Sequence, residues 1–556
     1  MKTRFCIKEY VRMLEDVSTV EAVQATRLIL ELGLLGERLG FCELQRLGGA
    51  SQDTRLWAEN GRILALKGML DPTRPEQRLD TWMRAVRGAD ARITSEMLEV
   101  GGPAILHLVD PEGHSCLHVA AASGNLEVVR LLLRKCPGLL MSSPGIGRES
   151  CLYAAAENGH DHIVQELLES TTDEERKKLL MLTNDTGYSC LLAAVSGGHM
   201  HVVRRLLEAG GVDLLMLPDI WGGHCLPHAA ALGHVKIVKT FIHFVHETFP
   251  RDSQESRDVL DVRCTCQQSA LEIAVGSGYM PIVDALLAAG APSDHCLLMA
   301  TSLEMVEKLL RRDEFKTRER LLQTTGLGKN CLHTAIDRND TRIVNLLLKA
   351  ADYETQGDLL LQQTNYGHTC LHLAVRLQSE SLVRVLLQAA LARDVPELLP
   401  LQNRQGNSCL HLAVNLQSVS LVGELLQAAG DFSTRPFDEM LTMQNTQGNS
   451  CLHLAVIAGR NHSCSSGDHI NLYMVSMLLK GAVAMNVLPE LLMLQNNNGD
   501  SCLHLAAEDG RFFVMKTLLE AGGRQLARLE NINAQTWLDV LKDTIIASFG
   551  RSQSIP

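Results

Sequence analysis

The 556-residue sequence contains few aromatic residues, with Trp, Tyr and Phe making up only 4% of the chain. Leu and Ala dominate the 46% of residues that are hydrophobic. A core of small and branched aliphatic side chains is typical of packed helix pairs, whereas sheet sandwiches draw more on aromatic residues. The composition therefore favours an all-α protein with ample core material.

Long apolar runs and an excess of positive charge are also missing. No stretch reaches the ~18 apolar residues of a membrane span, and residues 1–9 lack the apolar run of a signal peptide. The 52 basic and 64 acidic residues give a net charge of −12, which does not attract nucleic acid or an anionic membrane. We predict a monomer without a membrane span or nucleic-acid partner, whose partners are neutral or basic proteins.

Sequence signatures of catalysis are missing as well. The chain has no phosphate loop of the Gly-x-x-x-x-Gly-Lys-Ser/Thr type, no His-Glu-x-x-His and no nucleophile elbow. Basic residues such as Arg130 and Arg134 are isolated and indicate a solvated face. We predict a protein that is not an enzyme and needs no cofactor or metal.

A repeated motif sets the organisation of the chain. Residues 406–414 read Gly-Asn-Ser-Cys-Leu-His-Leu-Ala-Val, and copies recur at intervals typical of stacked supersecondary units. Numbered in chain order, the eleven repeats carry Cys116, Cys151, Cys190, Cys225, Ala270, Cys296, Cys331, Cys370, Cys409, Cys451 and Cys502 at the motif position.

The pattern Gly-x-Ser-Cys-Leu-His-x-Ala, followed by Val-Val-x-x-Leu-Leu, resembles the ankyrin repeat with Cys in place of its usual Pro. The resemblance spans roughly residues 106–522. It implies a tight turn and two antiparallel helices in each repeat, with a concave surface that binds protein partners. The predicted fold is thus an all-α solenoid of about eleven helix-turn-helix units with helical N- and C-terminal caps.

Departures from the regular spacing suggest the domain organisation. Residues 1–105 form a helical leader, read as a degenerate ankyrin-like cap or as a small separate domain. Repeats one to five occupy residues 106–290, and repeats six to eleven occupy 291–522, with repeat six truncated. An insertion at 460–471 in repeat ten is expected to be a surface loop. Residues 523–556 are expected to form C-terminal capping helices.

A second motif precedes many of the motif cysteines. Pairs of Leu at a fixed offset before Cys, often after an acidic or Pro-containing start, suggest an additional helical turn that rests on the previous helix pair. These pairs begin at Leu179, Leu214, Leu398 and Leu491.

Ten of the sixteen cysteines occupy the motif position, where we read them as small apolar residues. Helices packed about 8–10 Å apart hold such cysteines beyond the ~7 Å Cα separation that a disulfide permits. Reduced thiols favour a cytoplasmic or nuclear location, although secretion without a cleavable signal stays open. The alternative is a set of reactive thiols at helix N-termini. The preceding Ser or Thr is expected to cap the first helix.

Histidine two residues after the motif Cys invites a metal or catalytic interpretation. The resemblance implies instead that this His, as in His411, hydrogen-bonds turn backbones across repeats. Two other clusters offer possible zinc ligands, with unliganded loops as the alternative. They are Cys264 and Cys266 near His243 and His246, and His462 and Cys464 with His469.

The resemblance places partner contacts on the turn tips and the exposed side of the first helices. Exposed aromatics are favoured interface anchors, which singles out Trp221 and Tyr366. The full predicted set is Glu112, His114, Tyr188, Trp221, His224, Tyr366, His368, Arg376, Arg404, Asn407, Asn415, Gln447, Asn449, Asn498, Asp500 and Glu508.

The predicted function is a non-enzymatic scaffold for protein–protein interaction. Repeats eight to eleven resemble in part the inhibitor-of-NF-κB group, through Leu-Gln-Asn-x-x-Gly and Leu-His-Leu-Ala-Val, which implies sequestration of a transcription factor as one alternative. The repeat number, the motif Cys and the lack of an Asp-Ser-Gly-x-x-Ser phosphodegron depart from that group. Further alternatives are a bacterial effector delivered into a host cell and an enzyme within residues 1–100.

Overall fold

The structure is a computed structural model, and it describes residue 70 and residues 75–88, 90–141, 149–432, 437–458 and 465–552. The chain divides into two compact units, Met1–Ser293 and Asp294–Pro556. Most of the predicted leader lies outside the described residues, as do His462, Cys464 and the side chain of His469.

The described part of the first unit is built of short helices. They are Pro75–Arg87, Ala91–Gly101, Cys116–Ala122, Leu126–Lys135, Cys151–Glu157, Asp161–Glu169, Asp173–Leu180, Cys190–Ser196, Met200–Leu215, Cys225–Ala231, Val235–Thr248, Gln254–Leu260, Ala270–Ser277 and Met280–Ala288, with 3-10 turns at Pro103–His107 and Pro137–Met141.

The second unit continues the same pattern. Its helices are Cys296–Met299, Leu303–Leu310, Arg318–Leu321, Cys331–Asp337, Thr341–Ala350, Tyr353–Leu361, Cys370–Arg376, Glu380–Arg393, Cys409–Asn415, Val419–Asp431, Phe437–Thr442, Cys451–Ile457, Ser465–Ala484, Leu488–Met493, Cys502–Glu508, Phe512–Leu526 and Trp537–Ser552, with 3-10 turns at Asp313–Phe315 and Pro396–Leu398.

Repeat three illustrates how the sequence directs each repeat. The Ser189 hydroxyl accepts a hydrogen bond from the Leu192 amide at 3.2 Å, which starts the first helix. The helix ends at Ser196, and Gly198 then adopts φ +74° in the tight turn before the second helix. A positive φ favours glycine because it has no Cβ to clash. The predicted N-cap role of the motif Ser is therefore confirmed.

The predicted additional helical turn is also confirmed. In repeat two it is a complete helix, Asp173–Leu180, which begins with a capping box between Thr172 and Glu175. Leu179 and Leu180 are fully buried, so this helix is anchored through the Leu pair that identified it in the sequence.

Repeat ten differs from the expected long loop. Its second helix begins at Ser465, so the later part of the predicted insertion at 460–471 is helical. The reason is helical periodicity within the segment, since Asn471, Met474 and Leu478 recur three and four residues apart and are buried.

The predicted all-α repeat architecture is confirmed. The described residues contain helices and isolated β-bridges that close the turns, such as Thr183 with Ser189. Among these residues, no helix combines the length and apolar character needed to cross a bilayer.

Candidate protein-binding surface

Buried histidines join successive turns in the second unit. Each motif His lies in the first helix of its repeat, and its Nε2 hydrogen-bonds a backbone carbonyl in the next turn. The five contacts are His333 with His368 at 3.3 Å, His372 with Asn407 at 3.0 Å, His411 with Asn449 at 3.2 Å, His453 with Asp500 at 3.1 Å, and His504 with Gln535 at 3.0 Å. The role that the resemblance implied for these residues is confirmed.

The second ring nitrogen completes a capping box that the sequence did not reveal. The Ser408 amide donates to His411 Nδ1 at 3.3 Å, and the Ser408 hydroxyl lies 2.8 Å from the same atom. Because Nδ1 accepts and Nε2–H donates, this network assigns a neutral imidazole with its proton on Nε2. Burial lowers the pKa of His333, His372, His411 and His453 from 6.5 to about 4.

The turns themselves are linked through their backbones. In each of repeats seven to eleven, a carbonyl of one turn accepts the amide of the following turn, and we call this row the turn ladder. With the amide donor named first and the carbonyl acceptor second, the bonds are Asn365 to Leu327, Arg404 to Tyr366, Thr446 to Gln405, Asn497 to Gln447 and Ile532 to Asn498. Their N–O distances are 3.0–3.3 Å. The ladder fixes the backbone beneath the exposed turn side chains of these repeats.

Side-chain amides reinforce the turn ladder. Gln444 donates through Nε2 to the Gly448 carbonyl of its own turn at 2.6 Å and to the Gln495 carbonyl of the next repeat at 2.7 Å. Gln402 and Gln495 make the equivalent pairs of bonds. The Gln of the Leu-Gln-Asn-x-x-Gly motif therefore has a structural role.

Three residues of the predicted partner set belong to this internal network. Asn407, Asn449 and Asp500 each accept a hydrogen bond from an Asn side chain of the following repeat, at 3.1–3.2 Å. Asn449 is only 6% exposed, so its predicted display on the surface is wrong. The reason is that this turn position faces the neighbouring turn, a geometry that sequence spacing does not contain.

The other predicted residues lie on or near the surface. Glu112, Trp221, Tyr366, Arg376, Arg404, Asn415, Gln447, Asn498 and Glu508 are exposed, whereas His114, Tyr188, His224 and His368 are half-buried.

Trp221 stands on a rigid turn of the first unit. Trp221 is 55% exposed. Asp219 Oδ1 accepts hydrogen bonds from the Trp221 amide at 2.8 Å and from the Gly223 amide at 2.7 Å. The adjacent Ile220 is 62% exposed, and its amide donates to the Thr186 carbonyl of the preceding turn. The sequence search for aromatic tips missed Ile220, although an aliphatic residue in the polar turn position was a usable signal.

Tyr366 occupies the corresponding position in the second unit. It is 58% exposed, and Leu327 in the preceding turn, which was also missed, is 51% exposed. Because the Asn365 amide donates to the Leu327 carbonyl, the two turns are fixed side by side in the ladder. Together they present apolar surface on a hydrogen-bonded edge.

A family model described as ankyrin repeats matches the chain in three copies, at residues 82–178, 152–248 and 295–396. This chain is an ankyrin-repeat protein. The crystal structure of the ankyrin repeat domain of Bcl-3, described as a unique member of the IkappaB protein family, is similar at 24% identity and a TM-score of 0.34. The match covers 50% of this chain and 97% of that chain. No curated protein matches the sequence at a significant level.

The Cys that replaces the usual Pro of the ankyrin repeat has a hydrogen-bonding role. Cys409 Sγ lies 3.5 Å from the Leu399 carbonyl, at the end of the connecting 3-10 turn. Cys116, Cys151, Cys190, Cys331, Cys370 and Cys451 make equivalent contacts at 3.3–3.7 Å. The last carbonyls of a helix lack intrahelical donors, and a thiol offers a weak donor that Pro lacks.

Burial keeps the motif thiols in the protonated, unreactive form. All ten motif cysteines are buried, and burial raises the pKa of eight of them, including Cys409, to about 12. The interpretation as small buried residues is confirmed.

Brief treatment of the native chain with iodoacetamide at pH 8 is expected to leave these ten thiols unmodified, since the thiolate is the reacting species. Exposed Cys266 is expected to react much faster. Peptide mapping by mass spectrometry measures both, with urea-unfolded chain as the control. Equal labelling of Cys266 and Cys409 in the native chain would contradict the assignment.

The suggested zinc cluster at Cys264 and Cys266 does not assemble. The two sulfur atoms lie 3.2 Å apart, but His246 Nε2 faces the Ala289 carbonyl at 3.4 Å and His243 pairs with Glu247 at 3.1 Å. Both histidines are occupied elsewhere because they lie on the second helix of repeat four, away from the turn that carries the cysteines.

Proposed function

We propose that this ankyrin-repeat protein binds one or more protein partners through the turn edges of its two units. Trp221 with Ile220 anchors the contact on the first unit, and Tyr366 with Leu327 anchors it on the second. The observation that carries the proposal is the exposure of large apolar side chains on turns whose backbones are already fixed by hydrogen bonds.

Rigid anchors favour tight binding for an entropic reason. Ordering a flexible loop on association opposes binding, whereas a turn that is ordered beforehand avoids that loss. Aromatic side chains bury a large area with few rotatable bonds, and such residues dominate measured interface energies. Tyr366 and Trp221 combine both properties.

Charge narrows the class of partner. The net charge of −12 disfavours a strongly acidic protein. Next to Tyr366 in the turn ladder, however, exposed Arg404 provides a guanidinium that suits a single carboxylate. The expected binding surface is neutral or basic overall, with an apolar group beside an acidic residue. The buried free thiols support a reducing compartment, cytoplasmic or nuclear.

Replacement of either anchor is expected to weaken partner binding at least ~30-fold, since truncation of an aromatic hot spot costs about 2 kcal/mol or more. Trp221→Ala and Tyr366→Ala are compared with the full chain by quantitative capture from a eukaryotic lysate, followed by affinity measurement with the purified partner. Tyr473→Ala is the matched control, because Tyr473 is 60% exposed but lies on a helix. Unchanged affinity in both anchor variants would contradict the proposal.

Sequestration of a transcription factor, in the manner of inhibitor-of-NF-κB proteins, stays a second candidate. It rests on the resemblance of repeats eight to eleven. Capture of a transcription factor would support sequestration, and the identity of the captured partner likewise tests the alternative of delivery into a host cell. An enzyme within residues 1–100 predicts instead that deleting those residues abolishes activity while Tyr366→Ala does not.

A further inference from the structure

Two histidines and a glutamate converge near the start of the described repeats. His114, His118 and Glu149 each offer one ligand atom, and these three atoms all lie within 4.8 Å of one another. The imidazole rings stack with centroids 4.2 Å apart and an interplanar angle of 14°. His114 lies in the turn of repeat one, His118 lies in its first helix, and Glu149 precedes the N-cap Ser150 of repeat two.

Carboxylates orient the His114 ring. Its Nδ1 lies 3.2 Å from Asp110 Oδ2 and 3.4 Å from Glu112 Oε2, so Nδ1 is the donor and Nε2 keeps its lone pair. Asp110 is itself buried and held by the amides of Glu112 and His114 at 3.0 and 2.8 Å. A histidine that binds a metal typically donates its other ring N–H to a carboxylate in this way, which fixes the orientation of the ring.

His118 differs from its counterparts at one of its two ring nitrogens. Its ring makes the hydrogen bond to the Glu149 backbone that corresponds to the bond between His372 and Asn407. His118 is 6% exposed, and its buried Nδ1 has no hydrogen-bond partner among the residues that the structure describes. In repeat nine, the same nitrogen of His411 accepts from the Ser408 amide and lies 2.8 Å from the Ser408 hydroxyl. An unpaired imidazole nitrogen in the interior costs free energy unless a ligand uses it.

The equivalent histidine pair in repeat eight serves as an internal comparison. His368 and His372 have ring centroids 5.8 Å apart at 59°, and the positions that correspond to Asp110 and Glu149 hold Thr364 and Asn407. In that repeat His372 Nε2 bonds the Asn407 carbonyl at 3.0 Å. The Glu149 carboxylate bonds Asn184 of the following turn, as Asn407 bonds Asn445. The local feature of repeat one and its neighbour is that the positions of Asp110 and Glu149 carry carboxylates beside the two histidines.

We propose that His114, His118 and Glu149 bind a zinc ion, with Asp110 positioning His114 and a water in the fourth place. Imidazole nitrogen with carboxylate oxygen is a ligand set suited to zinc, whereas calcium and magnesium prefer oxygen ligands alone. Zinc–ligand bonds of about 2.1 Å require ligand atoms about 3.4 Å apart in a tetrahedron. Because each imidazole lone pair lies in its ring plane, the two rings turn out of their parallel stack and towards the ion on binding. The Arg87 guanidinium lies 3.9 Å from Asp110 Oδ2 and offsets one of the three negative charges of Asp110, Glu112 and Glu149.

Such a zinc ion joins the turns of repeats one and two. In the second unit, His372 and its counterparts link successive turns through a direct hydrogen bond. His118 makes the equivalent bond to the Glu149 backbone, and the metal adds a second link, from the first helix of repeat one to the Glu149 side chain. Because zinc binds the folded chain and not the unfolded chain, it stabilises the folded state by mass action.

The test is zinc binding by the full chain carrying Cys264→Ser and Cys266→Ser, so that the exposed thiol pair does not contribute. After treatment with a chelator, zinc is titrated in competition with a chromophoric chelator. Compared with the parent, His114→Asn or Glu149→Gln is expected to bind one equivalent of zinc less, or to bind that equivalent with at least 100-fold lower affinity. Asp110→Asn is expected to lower the affinity 10- to 100-fold.

The substitutions are chosen to preserve the turn. Asn occurs at the position of Asp110 in Asn403 and at the position of His114 in Asn407, so both replacements exist in other repeats of this chain. His368→Asn is the matched control and is expected to change nothing. Added zinc raises the melting temperature of the parent and not of His114→Asn. The proposal is overturned if the parent takes up no zinc, or if uptake is unchanged by both His114→Asn and Glu149→Gln.

Discussion

Lowering the pH from 7 to 5 is expected to remove several kcal/mol of unfolding free energy from the unit Asp294–Pro556. Four buried histidines, His333, His372, His411 and His453, have a folded pKa of about 4 against 6.5 in an unfolded chain. The unfolded state therefore binds more protons, and stability is present above pH 6.5 and is lost as the pH falls towards 4. Each histidine accounts for a loss of about 2 kcal/mol of unfolding free energy between pH 7 and pH 5.

Burial is the main cause of the lowered pKa, and the capping box that each of these rings completes adds to the cost of protonation. Protonation places a hydrogen on Nδ1, where the Ser408 amide and hydroxyl already direct their hydrogens in the case of His411. Carboxylates with a lowered pKa, such as Asp161 and Asp340, lose their contribution only at lower pH, below about 4. The two groups of residues therefore act in different pH windows.

Urea unfolding followed by circular dichroism at pH 7 and pH 5 measures the effect. His411→Leu is the informative variant, because Leu192 fills the same position in repeat three and is buried there. We expect it to be less stable than the parent at pH 7, through loss of its hydrogen bonds, but to lose less stability on acidification. If His411→Leu lost as much unfolding free energy between pH 7 and pH 5 as the parent, the role assigned to this ring would be ruled out.

Gly406→Ala is expected to destabilise the same unit by about 3 kcal/mol or more. Gly406 has φ +71°, which costs an L-residue about 1–2 kcal/mol. A Cβ there would also lie 2.7 Å from the Thr446 amide nitrogen and 2.9 Å from Asn445 Cα, both on the backbone of the next turn. Relieving that overlap breaks the bond from Thr446 to Gln405 in the turn ladder.

Gly510→Ala is the matched control for this substitution. Gly510 has φ +65°, but a Cβ there would meet no atom within 4 Å. Only the backbone strain then remains, at about 1–2 kcal/mol. Urea unfolding of both variants compares the two costs. If Gly510→Ala were as damaging as Gly406→Ala, close packing of adjacent turns would not be the cause.

Local features of the fold were predictable from the sequence because they depend on neighbouring residues. The N-cap Ser189 and the Leu pair at Leu179 and Leu180 are recognised within a few positions of the helices that they start or anchor. Contacts between repeats were not predictable in the same way. The bond from Cys409 to Leu399 depends on where a preceding helix ends, and that end becomes visible only once the fold is known.

The exposure of the aromatic anchors of the candidate surface was predictable from the sequence, whereas the exposure of its polar residues was less predictable. Trp221 and Tyr366 stand out in any polar turn, and both are exposed. Asn449 has the composition of a surface turn residue, yet its amide faces the neighbouring repeat. The cluster of His114, His118 and Glu149 was missed because the search for metal ligands followed cysteines, whereas these residues meet only across two turns.

Site-specific photocrosslinking tests most directly whether the turn edges carry the binding function. A photoreactive benzoylphenylalanine replaces Trp221, Tyr366 or the helical control Tyr473 in the full chain, and each chain is irradiated with the captured partner. We expect covalent adducts from positions 221 and 366 and none from 473. Adducts from 473 alone, or a partner retained by residues 1–69 without the repeats, would contradict the assignment of binding to the turns.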